Sequence, residues 1–168
     1  EMARDGESFP VERIFEAANL VGRGVEHRDR LESLLSDRDS AARYWAATGL
    51  VALGRDAAPA AKALQKALGD ESPSVRLAAA EALCKIGRAK DALPVIREGL
   101  MSTDSRVRLQ AISITIAIGD QGRPLIDTLK KATGIACAPA PQDQYAEWGI
   151  ERALVNLGEI ESPTYPES

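Results

Sequence analysis

Between Asp37 and Gly119 the chain alternates short polar turns with stretches rich in Ala, Leu and Ile, whose apolar residues recur at three- and four-residue intervals. That spacing is one face of an α-helix. Three segments fall into register: "DRDSAARYWAATGLVALG" (37–54), "DESPSVRLAAAEALCKIG" (70–87) and "STDSRVRLQAISITIAIG" (102–119). Their closing glycines, Gly54, Gly87 and Gly119, are 33 and 32 residues apart, and Arg43, Arg76 and Arg108 keep the same spacing. Each segment opens on a turn containing Asp or Ser and stops at glycine, the usual left-handed residue at a helix end.

Second helices are predicted between them, in "PAAKALQKALGD" (59–70), "DALPVIREGLMS" (91–102) and "GRPLIDTLKKATG" (122–134). Pro59, Pro94 and Pro124 are expected in the first turns of those helices, where a missing N–H costs little. Upstream, "FPVERIFEAANLVG" ends at Gly22, 32 residues before Gly54, and "EHRDRLESLLSD" supplies its second helix; downstream, "QYAEWGIERALVNLG" ends at Gly158, 39 after Gly119, with "IACAPAPQD" absorbing the extra length. The expected organisation is a domain over 1–160, with pairs near 9–36, 38–69, 71–101 and 103–133 and a last helix at 143–158. A flexible tail is expected at 161–168. A helix pair of this size cannot bury its apolar stripe alone, so neighbours must stack. The predicted fold is all-α, an α-solenoid.

The unit resembles HEAT repeats: a polar turn, Val-Arg or Ala-Arg, an "AAxAL" stretch and a Leu/Ile-Gly ending, best seen in "SPSVRLAAAEALCKIG". Tetratricopeptide units need aromatic and glycine placements missing here, and armadillo units carry a third helix. Over about residues 1–120, "EMARDGESFPVERIFEAANL" and "LLSDRDSAARYWAATGLVALG" also resemble the HEAT-repeat extension that follows the catalytic domain in many bacterial sulfatase-family enzymes. The resemblance implies a non-catalytic module packed on a catalytic domain, a protein partner, and a periplasmic or extracellular location. It brings no active site. "CAPAP" (137–141) reproduces Cys-x-Pro of the family's C/S-x-P-x-R motif but has Pro141 in place of the arginine.

Composition narrows the alternatives. Over 168 residues the net charge is −4, against a dominant interaction with nucleic acid phosphates, and no apolar run suits a bilayer span. A HEAT-like DNA glycosylase would need a basic concave face, which the acidic balance disfavours. A stand-alone scaffold, or a lyase or chaperone handling a chromophore or protein, remains as an alternative. His27 is the only histidine, too little for a catalytic base with its partners or for a zinc site with Cys84 and Cys137. No catalytic, metal or cofactor-binding residue is assigned. Cys84 reads as a small buried hydrophobe and Cys137 as a loop residue.

Two readings of Arg43, Arg76 and Arg108 stand. They can line one edge of the solenoid and hold an anionic partner, or pair with the turn carboxylates Asp39, Asp70, Glu71 and Asp104, whose recurrence favours the second reading. Tyr44 shares its register with Leu77 and Leu109 and is expected in the core. Trp45, at a variable position, is a candidate interface anchor. Adjacent helix residues point about 100° apart, so the two should not face one direction. Trp148, preceded by Glu147 where other units have Arg, is a second interface candidate or a cap on the solenoid's end.

Overall fold

The structure is a computed structural model describing residues 11–135 and 142–161. Among the described residues it contains nine α-helices and no strand: α1 (Val11–Leu20), α2 (Arg28–Leu34), α3 (Ser40–Leu53), α4 (Ala61–Ala67), α5 (Pro73–Lys85), α6 (Ala89–Leu100), α7 (Ser105–Ile118), α8 (Ile126–Ala132) and α9 (Gln142–Asn156). This is the all-α, helix-pair architecture of an α-solenoid. The chain divides into two compact units, residues 1–92 and 93–168, with the division inside α6. The expected tail, apart from Glu161, and Cys137 with its "CAPAP" lie outside the described residues.

The repeated turns start the helices. The Asp39 carboxylate accepts from the N–H groups of Ala41 (2.8 Å) and Ala42 (3.2 Å), and Asp104 accepts from Arg106 N–H (2.9 Å). Each satisfies donors that the first helical turn leaves unpaired. In α5, Pro73 takes the first helical position, where its absent N–H would have had no partner.

In the first unit α3 packs against α1, α2 and α5, and α5 also meets α4. Helices covered on several sides should be apolar on several sides. α5 is so, burying Val75, Leu77, Ala78, Ala79, Ala80, Ala82, Leu83 and Cys84. Small residues bring α3 close to α2: a Cβ added at Gly49 would stand 2.6 Å from Leu31 Cδ2. In the second unit α7 packs against α9, and Gly149 of α9 would place a Cβ 2.7 Å from Ile112 Cγ2. The inward stripe of α9 is Ala146, Ile150, Ala153 and Leu154, at helical spacing, and buried Leu157 follows just past its end.

Several details differ from the sequence expectation. Helix ends use glycine in two ways. After α5, Gly87 (φ 83°) lets its N–H bond to Cys84 O and the Arg88 N–H to Leu83 O (2.8 Å), the left-handed closure expected. After α3 and α7, Gly54 (φ 58°, ψ −126°) and Gly119 (φ 54°, ψ −131°) fall outside the left-handed helical region, in backbone space that only glycine enters readily. They lead into 3₁₀ segments, Gly54–Ala60 and Gly119–Leu125. Pro59 and Pro124 therefore lie in these 3₁₀ segments, ahead of α4 and α8, not in their first turns. The tight closure at Gly87 has the opposite effect. It lets α6 begin at Ala89, so Pro94 falls in the second turn of that helix.

Candidate interaction surface

The three repeat arginines share one geometry. Each Nη1 donates to the turn carbonyl six residues earlier: Arg43 to Asp37 O (2.9 Å), Arg76 to Asp70 O (2.8 Å) and Arg108 to Ser102 O (3.4 Å). The side chain sits early in the first helix of a pair and reaches back over its entry turn. At Arg43 and Arg76 the same Nη1 also reaches the next turn carbonyl, Arg38 O (3.1 Å) and Glu71 O (3.3 Å). Arg43 and Arg108 are buried, 7% and 2% exposed, while Arg76 is half-buried.

Arg43 does more than hold its own turn. Its Nε donates to Asp70 Oδ2 (2.7 Å), its Nη2 to Asp70 Oδ1 (2.9 Å) and Glu71 Oε1 (3.0 Å), and its Nη1 also to Arg38 O (3.1 Å). All five N–H donors of the guanidinium are thus engaged within the protein. Burial pushes the Asp70 carboxyl up, but the Arg43 hydrogen bonds, the Ser72 N–H and the charges of Arg43 and Arg76 together hold it below its ordinary value. In the second unit Arg108 Nη1 makes a comparable reach to Ile135 O (3.3 Å). Arg13 bonds Asp37 Oδ2 (3.1 Å), and Arg30 grips Glu16 through two oxygens at 2.6 and 2.7 Å. Neither bond nor grip was anticipated, because partners this far apart in the chain leave no mark in a local pattern.

The aromatic residues lie differently from the arginines. Trp45 is exposed (36%), and Tyr44, expected in the core, is only half-buried. Leu77, in the same register, is buried and Leu109 half-buried, so the position itself lies at the margin of the core. The larger tyrosine ring extends outward and meets Trp45 edge to face, with centroids 5.5 Å apart and planes at 69°. The two Cβ vectors diverge, but the long side chains close the gap. A similar pair stands on α9. Trp148 (54% exposed) meets Tyr145 (58% exposed) at 5.7 Å and 87°. Tyr145 carried no signal of its own beyond lying one helical turn before Trp148.

Cys84 is buried, and burial, with the neighbouring Glu81 charge adding to it, pushes its thiol up to about 11. His27 lies half-buried in a 3₁₀ turn, 3.9 Å from Glu26 Oε1. Among the described residues no group of His, Cys, Asp or Glu is placed to hold a metal ion, and no helix is long and apolar enough to cross a membrane.

What this arrangement offers is a set of helix faces with exposed aromatic rings on a frame of turn-holding arginines. No curated protein matches the chain. A family profile described as HEAT repeats matches residues 28–115 and 61–134, together more than half of the sequence. HEAT repeats generally serve as protein-interaction or structural scaffolds and are typically non-catalytic. With its in-register helix pairs, glycine-ended first helices and turn-holding arginines, the chain belongs to the HEAT-repeat family.

Proposed function

We propose that the chain is a non-catalytic interaction module that docks on a protein, and that this protein is the catalytic domain of a sulfatase-like hydrolase to which the module is joined. The observation that carries the docking role is the placement of the two tryptophans, the only ones in the chain. Each is exposed and meets a tyrosine edge to face. Large aromatics with low conformational entropy are the usual anchors of protein interfaces. The sulfatase identity rests on the sequence resemblance of "EMARDGESFPVERI" and "RYWA".

The test is photo-crosslinking from a benzophenone side chain placed at position 45 or 148 in the whole gene product. Crosslinks to a domain that carries a cysteine or serine in C/S-x-P-x-R context support the reading. Crosslinks only to separate proteins favour a stand-alone scaffold, and absence of crosslinks from both positions refutes the docking role.

A further inference from the structure

Arg43 and Trp45 are two residues apart on α3 and so project to nearly opposite sides of it. On the Arg43 side, between the end of α2 and α4, runs an open groove of about 270 Å³. Apolar Leu35, Ala63 and Ala67 line it together with Ser36, Lys66, Gly69 and the Arg43–Asp70 pair. That pair has no donor left to offer, since every Arg43 N–H is engaged. A small inorganic anion therefore finds no guanidinium to bind, whereas an aliphatic side chain finds walls of its own kind.

Two lysines add positive charge that is not engaged in this way. Exposed Lys66 lines the groove, and exposed Lys62 stands one turn before it on the same face of α4. α4 contains no acidic residue, and neither lysine makes an ion pair among the described residues. Arg13, Arg30, Arg43 and Arg88, by contrast, are all paired. Exposed Ser36 adds a hydroxyl to the lining.

We infer that this groove takes a peptide segment of a partner protein, with one aliphatic side chain between the apolar walls and flanking carboxylates on Lys62 and Lys66. Two lysines one turn apart match one or two carboxylates. A nucleic acid strand fits poorly, because two lysines are too few cations to hold a run of phosphates. The surface is separate from Trp45, so its failure and the failure of the proposed docking role are distinguishable.

The experiment is a titration of the ¹⁵N-labelled chain with the blocked peptide Glu-Leu-Glu, followed by amide chemical shifts. The expected result is a cluster of shifts at Ser36, Ala63 and Lys66. Combining Lys62→Glu with Lys66→Glu, both exposed and harmless to the fold, should weaken binding by about tenfold. A blocked Lys-Leu-Lys peptide should leave those amides unmoved. Shifts confined to other regions, equal affinity in the double variant, an equal response to Lys-Leu-Lys, or stronger binding of a short oligonucleotide at the same amides would each overturn the inference.

Discussion

The Arg43 guanidinium and the Asp70 carboxylate meet side by side through two hydrogen bonds of 2.7 and 2.9 Å, although 27 residues separate them in the chain. Both side chains are largely buried, 9% and 10% exposed. The pair lies between the entry turns of successive helix pairs, so it ties one repeat to the next. Such a pair is costly to break from one side, because the remaining charge is left buried without compensation.

Arg43→Ala should therefore destabilise the fold by about 3 kcal/mol. Arg43→Lys keeps the charge but loses the fork, and should cost roughly half as much. Urea unfolding followed by circular dichroism measures both, as a fall in midpoint with an unchanged slope. An alanine variant as stable as the parent would mean that the pair does not tie the repeats.

The same pair predicts a pH dependence. The folded-state Asp70 carboxyl lies below its ordinary 3.8. A depressed carboxyl contributes stability that is fully present above its unfolded value and is lost as pH falls through the folded one. Stability should thus decline below about pH 4. Arg43→Ala removes the strongest source of the depression, so the urea midpoint should fall less between pH 5 and pH 3 in the variant than in the parent.

How much of this was legible beforehand depends on the range of the cause. Local causes were readable. The register of Gly54, Gly87 and Gly119 and the Ala/Leu spacing announced α3, α5 and α7, because burial on a helix imposes its period on the sequence. The start of α6 was not, since the Gly87 closure is set by two backbone hydrogen bonds that depend on the conformation of the turn. Register placed Tyr44 with Leu77 but could not say that the position sits at the core's margin, where a larger ring turns outward. For the candidate surface, the tryptophans stood out by rarity, whereas the Arg43–Asp70 bond depends on tertiary contact over 27 residues.

A glycine inside α3 offers a sharper packing test. Gly49 lies where an added Cβ would meet Leu31 Cδ2 at 2.6 Å and Cδ1 at 2.9 Å, and Leu31 is fully buried. Gly49→Ala should therefore cost about 1–3 kcal/mol despite alanine's better helix propensity. Chemical denaturation checks the sign, and a stabilised variant would show that α2 and α3 can separate without loss.

The thiol of Cys84 should behave as an inert hydrophobe. With its titration pushed up to about 11, only about one molecule in a thousand carries the thiolate at pH 8. In a Cys137→Ser background, labelling by a disulfide reagent should be slow in the native state and accelerate with urea in step with unfolding. Rapid labelling without denaturant would contradict this placement.

The turn-holding arginines also govern how the first unit would come apart. Each carbonyl clamp acts within one pair, and the Arg43–Asp70 bond joins only the next pair along. Under tension applied through its ends, such a unit has no single lock whose failure releases everything. It would yield in successive steps, each repeat giving way as its own rung opens and leaving its neighbour still folded.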